Sequence, residues 1–458
     1  MDSWREHLIQ AQTARSRAFK EYLTLLRGQE FSSELPVELI AFFDSVNDGI
    51  LRALNSLSSD PDFQSLDDDA AEVHLVRYSG LYRFLFRITA DLEHVETSRT
   101  IVEFSGPLHR LILPQFKDVR LILHALPEVN YSWADLVTPL RAIARELDIP
   151  IAKAPAQQVW SLGFPGLQPG QTLMHTLFCH EIGHGVVQSS SLVRSLRRRV
   201  RIDNKRIAAL LASAPRALRR QPLRKSVGRY INAVLTDWLE ELACDVIGYQ
   251  LAGPAFLLAS IHFFPVLSEL DSSSVEYPSV RLRLSLLFKL LKADLSRNVN
   301  EVCDHAGYKE AFFEDQTASF LNAWDERISA DQPVYGDDPL DIASEAIERS
   351  FQDLVGVIRE RTKGLDNYNF TAHKEHIGQL LERFKLLVPP NELDHPAGDA
   401  DAGCILNAGW ISYLSHVETL GAQLDWDQWR TRAKIEELVA KGLELHEVQR
   451  RWKEVSAS

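Results

Sequence analysis

The chain has 458 residues, 45% of them hydrophobic and 25% charged, with a formal net charge of −13. That length exceeds one ordinary core, and the balance is the globular average, so a mini-domain, a disordered chain and a fibrous repeat are excluded. Four cysteines are too few for a disulfide-built secreted scaffold, and the charged start MDSWREHLIQ does not read as a secretory leader, so a cytoplasmic protein is expected.

The first hundred residues read as helices: Trp4 to Leu26, Val37 to Leu57 and, after the acidic loop DPDFQSLDDDAAE, Val73 to Leu92. From about Arg99 the pattern changes to short apolar runs, TIVEF, VRLILHAL and QVWSLGF, which read as strands. Between the last two, Ser132 to Leu147 is expected to be a helix opened by the capping box Ser-Trp-Ala-Asp, and another helix is expected from about Gln171. Beyond Ala233 helical patterns continue to the end, with breaks near Leu270 to Pro278, Ala330 to Asp341 and in PPNELDHPAGDADAG. Val246 to Ser268 carries no charge and is long enough to span a bilayer, but Pro254 and Pro265 interrupt it, so a buried helix pair is expected instead.

The most specific motif is His180-Glu181-Ile182-Gly183-His184. Residues four apart share a helix face, so both histidines can turn a ring nitrogen to one metal ion, while Glu181 points to the open side as general base for a polarised water. Leu173, Leu177, Val186 and Val187 make this helix apolar, and buried histidines need a partner or a metal. A catalytic zinc site takes three protein ligands. Val187 and Ser190 stand where a metzincin needs Gly and His, so the third ligand must come from elsewhere. Trp238-Leu-Glu-Glu-Leu-Ala-Cys-Asp245 offers Glu241 as ligand, with Asp245 on the same face to accept the second ring N–H of a histidine. His175, Cys179 and Cys244 read as core residues, the cysteines being conceivable soft ligands, and Cys303-Asp304-His305 lacks partners at metal spacing.

HExxH followed by ExxxD resembles the gluzincin metallopeptidases. Tyr277-Pro278-Ser279-Val280-Arg281-Leu282-Arg283 further resembles the His-Pro and Arg element of the heat-shock and CAAX-prenyl membrane proteases, with Tyr in place of His and without their membrane spans. The resemblance covers roughly Arg99 to Leu291. It implies zinc held by His180, His184 and Glu241, Glu181 as base, and Tyr277 and Arg283 stabilising the oxyanion, with Arg281 as competitor. It also implies that Val159 to Gly163 forms the cleft rim to which a peptide adds as a strand, the alternative being an ordinary buried strand.

Between the two halves of this motif, Ser191 to Tyr230 holds thirteen Arg and Lys against the single acid Asp203, a net +12 that leaves −25 on the rest of the chain. Three readings compete: a nucleic-acid patch, an arm docked on the chain's own acidic surface such as Asp60 to Glu72, and a plain solvated insertion. A regulatory partner could act through it.

The expected architecture is a predominantly helical α+β protein. A zincin-like core at 99–291, built from a small mixed sheet, the HExxH helix and a second ligand helix, carries the basic insertion at 191–230. Helical regions at 1–98 and 292–395 and a small C-terminal helical unit at 404–458 flank it. The expected function is zinc-dependent hydrolysis of a protein or peptide substrate. The rival is a non-catalytic zinc-bound interaction protein whose basic insertion binds a partner or nucleic acid.

Overall fold

The computed structural model describes residues 3–29, 31, 33–57, 59–93, 95, 102–112, 116–151, 154–166, 170–213, 221–298, 308–309, 312–330, 338–365, 368–393 and 400–457. The described chain is predominantly helical with one small mixed sheet. It divides into two compact units, the first comprising Met1–Ser105 and Phe116–Pro169, the second Gly106–Gln115 and Gly170–Ser458.

In the first unit the helices α1 (Ser3–Arg27), α2 (Glu34–Leu57) and α4 (Asp68–Glu93) follow the predicted periodicity, with a short turn of helix α3 (Pro61–Gln64) capped by Asp60 in the acidic loop. Their apolar faces bury Phe19, Phe43, Ile50, Leu81 and Leu85 in one cluster that also contains Ile122 and Val159 of the sheet. That shared core is why the strands belong with the N-terminal helices and not, as expected, with the HExxH helix in a 99–291 domain.

The sheet has the order β1-β3-β2. Strand β1 (Val119–Leu126) runs parallel to β3 (Gln158–Pro165) over its whole length, and β2 (Ser132–Asp135) pairs antiparallel to β3 from the other side. Two predicted elements change type. Val102 to Phe104 of the TIVEF run lie in helix α5 (Val102–Ile112). Ser132 to Asp135 form β2 instead of opening a helix, because Trp133 packs edge-on against buried Trp160 at 6.0 Å, a cross-strand aromatic pair. Helix α6 (Thr138–Glu146) starts later, where the Asp135 carboxylate accepts the N–H groups of Val137 and Thr138 at 3.0 and 3.1 Å.

In the second unit a turn of 3₁₀ helix (Met174–Leu177) leads into α7 (Phe178–Ser190). The basic block then forms α8 (Leu192–Arg197), α9 (Asn204–Ser213) and the start of α10 (Gln221–Ala252), with 214–220 outside the described residues. The uncharged stretch is, as expected, a helix pair: α10 ends and α11 (Pro254–Leu267) begins across Gly253, whose φ of +62° and contact with the Tyr368 ring leave no room for a side chain. No helix among the described residues is long and apolar enough to cross a membrane. Helix α12 (Val280–Asn298) follows, then α13 (Asp315–Ala330), α14 (Pro339–Arg361), α15 (Phe370–Lys385), α16 (Ala402–Ser415), α17 (Val417–Leu424) and α18 (Gln428–Ala457).

Helix α18 runs unbroken from Gln428 to Ala457 and does not stand apart as a C-terminal unit. Buried Glu436 of α18 accepts the backbone N–H of Leu173 at 2.7 Å, holding the turn that precedes α7. Asn407 of α16 accepts the N–H of Ala255 at 2.8 Å and donates to the Ala252 carbonyl at 2.9 Å, bracing the α10–α11 joint.

Burial raises the Glu436 carboxyl to about 8, against the two backbone N–H groups that favour its charged form. A carboxyl raised from 4.5 to about 8 binds more protons folded than unfolded across that interval, so its contribution is full below pH 4.5 and is lost as pH rises through 8. Urea unfolding at pH 5 and pH 9 should show wild type losing stability over that range and Glu436→Gln losing less.

A candidate metal centre on two helices

Helices α7 and α10 pack closely because Gly183, the fourth residue of HEIGH, has no side chain: a Cβ there would lie 2.7 Å from the Cα of Cys244. The crossing brings the predicted ligands together. His180 Nε2 lies 3.4 Å from Glu241 Oε2, and His184 Nε2 lies 3.6 Å from Glu241 Oε1, so both imidazoles face the two oxygens of one carboxylate. The rings meet edge-on with centroids 5.0 Å apart.

Each outer ring nitrogen is also held. His180 Nδ1 is 3.0 Å from Asp245, the residue expected in that role, and His184 Nδ1 is 3.2 Å from Glu240. The sequence reading missed Glu240. The signal was present: ExxxD supplies an acceptor for one histidine only, and the second histidine required another acid within a turn of Glu241.

Arg283 of α12 closes the cluster from behind. Its guanidinium donates two hydrogen bonds to Asp245, Nε at 2.8 Å and a terminal nitrogen at 2.7 Å, approaches Glu241 at 3.5 Å and stacks on the Phe264 ring at 4.0 Å. This buried fork holds Asp245, the acid bonded to His180, and so occupies the guanidinium to which the resemblance gave an oxyanion role. Arg281, the competitor, is bound to Asp271 and to the carbonyls of Arg327 and Ile328 at 2.9 and 3.0 Å, a structural assignment. Tyr277 is 52% exposed, on a turn pinned to α10 where the buried Trp238 indole donates to the Ser274 carbonyl at 3.1 Å. Its phenol is raised first by burial and then by Glu241, with Glu181 a smaller influence, which puts it within electrostatic reach of the cluster.

The charges are mutually arranged. Burial opposes the charge of Asp245, but Arg283 and the His180 hydrogen bond outweigh it and hold the acid at about 2. Burial likewise opposes protonation of His180, and Asp245 and Glu241 outweigh it, raising the imidazole to about 10. Glu181, buried among the same groups, is pushed up by burial while His180 and His184 pull it back.

Two groups of described side chains could hold a metal ion: His180, His184 and Cys244, and separately His373, Asp401 and Cys404. In the first group Cys244 competes with Glu241 for the third position. Burial, reinforced by Glu241 and Glu240, pushes the Cys244 thiol far up, whereas Glu241 is ionised against both imidazoles, so the carboxylate is the better donor. Burial also raises Cys179 to about 12, leaving an inert thiol, and His175 is buried and stacked on Phe178 at 5.5 Å. Cys303, Asp304 and His305 lie outside the described residues.

The expected rim strand is different. Hydrogen-bonded on one side by β1 and on the other by β2, β3 has no open edge over Trp160 to Gly163, so a peptide cannot add to it there. Val159 to Gly163 is the ordinary buried strand of the alternative reading. In the basic block, Arg206 turns inward to Glu345 at 3.4 Å while Arg194, Arg198, Arg199, Arg201 and Lys205 are exposed. In the acidic loop Asp68 pairs with Arg5 of its own unit at 2.6 Å.

Comparison with protein-family models, with curated proteins and with solved structures finds no match for this chain.

The Gly183 contact gives a direct test. Gly183→Ala forces backbone apart at the α7–α10 crossing and should cost about 1–3 kcal/mol in urea unfolding. Metal affinity measured by chelator competition should fall with it, since the crossing sets the distance from Glu241 to both histidines.

Proposed function

We propose that the chain is a zinc-dependent metallopeptidase. One observation carries the reading: both Nε2 atoms of an HExxH pair converge on the Glu241 carboxylate while both Nδ1 atoms are held by acids. A donor set of two imidazoles and one carboxylate suits zinc, whereas magnesium and calcium prefer oxygen alone. A metal ion binding here would displace the Nε2 proton, and the outer acids keep the remaining proton on Nδ1 and so turn Nε2 to the metal.

Zinc bound there would polarise a water and the scissile carbonyl. The residues of the chain do the rest. Glu181, whose carboxyl is raised by burial, takes a proton from the attacking water as its oxygen bonds to the carbonyl carbon, and then gives that proton to the amide nitrogen as the C–N bond breaks. In this reading Tyr277 donates its hydroxyl hydrogen to the oxyanion, and Arg283 keeps Asp245 and hence His180 in place. The substrate is a protein or peptide. The exposed arginines between the two halves of the site are a surface through which a partner could regulate it.

Metal analysis with casein or peptide hydrolysis tests this. Glu181→Gln should keep zinc and lose about 10²–10⁴-fold in kcat. His184→Ala should lose the metal. Stoichiometric zinc with indistinguishable rates for wild type and Glu181→Gln would overturn the peptidase reading in favour of a non-catalytic zinc protein.

A further inference from the structure

A second cluster of ligating groups lies at the meeting point of two helix starts. His373 is in the first turn of α15, Asp401 caps α16, accepting the Gly403 N–H at 2.7 Å, and Cys404 is in the first turn of α16. One donor atom from each falls within 4.8 Å of the others.

Three observations distinguish this cluster from a chance gathering of polar residues. Cys404 is completely buried, so its sulfur is shielded from solvent inside the cluster. The Nδ1 atom of His373 is buried with no hydrogen-bond partner among the described residues, which leaves a lone pair or an N–H unsatisfied at a cost that buried polar groups rarely bear. The ring is also held in place, edge-on against Tyr368 with centroids 4.5 Å apart.

We propose that His373, Asp401 and Cys404 bind a second divalent metal ion of the zinc type. One imidazole, one carboxylate and one thiolate exclude magnesium and calcium and suit zinc, with a fourth position open to water. On binding, the Cys404 proton is released to solvent and sulfur becomes the donor; no oxidant or reductant is involved. The role is structural. Asn407, one turn after Cys404, braces the α10–α11 joint, and Tyr368, edge-on to His373, packs against Gly253 and donates its N–H to the Gln250 carbonyl at 2.6 Å. A cation here fastens the far end of the helix that carries Glu241 and Asp245. The proposal does not depend on the peptidase reading.

Metal content and cobalt spectra of the full chain separate the two centres. Wild type should bind two equivalents of zinc, and His180→Ala/His184→Ala should keep one. Cobalt should give a thiolate charge-transfer band that persists in that double variant and in Cys244→Ser, and disappears in Cys404→Ser with one equivalent lost. Circular dichroism reports folding. If Cys404→Ser does not fold, His373→Gln and Asp401→Asn should each lose the same equivalent and the zinc-induced rise in unfolding temperature associated with it. No thiolate band in wild type, or a band removed by Cys244→Ser and untouched by Cys404→Ser, would overturn the proposal.

Discussion

The second unit is organised around one buried ionic contact, the two-pronged hydrogen bond of Arg283 to Asp245. Taking a carboxylate and a guanidinium out of water is costly, and such a pair persists only when its remaining valences are satisfied. Here they are. Asp245 passes its second interaction to His180, Arg283 reaches towards Glu241 and lies on the Phe264 face, and Glu241 faces both histidines. The contact therefore links α7, α10, α11 and α12.

The packing around that contact explains the composition of the helices. Gly183 lets α7 approach α10 to backbone distance, and Gly253 lets the chain turn from α10 into α11 beneath the Tyr368 ring. Both are places where a methyl group would collide. The uncharged stretch that resembles a membrane span is the price of being surrounded: Ala255, Phe256, Leu257 and Ala259 are fully buried by neighbouring helices, so no face of α11 needs polar residues.

Much of this was legible in the sequence. The N-terminal helices, β1, β3, the helix pair at Pro254 and, each on its own helix, the pairs His180–His184 and Glu241–Asp245 all follow from periodicity and spacing that act within a few residues or one helix face. What was illegible depended on partners distant in sequence. Trp133 lies in a strand because Leu162 is opposite it and the Trp160 ring lies diagonally across from it, and β3 is sealed only because β2 returns to its far side. The role of Arg283 turned on the direction of its guanidinium, which no spacing encodes. The cluster of His373, Asp401 and Cys404 spans a loop and two helix starts, so no fixed interval announces it.

The Glu436 contact bears on how the molecule is made. The N–H of Leu173, at the entrance to the metal helix, finds its acceptor 263 residues later, and Arg110 of α5 pairs with Glu447 at a separation of 337. Such contacts close long loops and form late. A chain still emerging from the ribosome has its histidines and Glu241 long before it has α18, so the motif is synthesised well ahead of the helix that fixes its approach. On the peptidase reading, that order delays a finished active site until α18 has been made and has docked on the turn before α7.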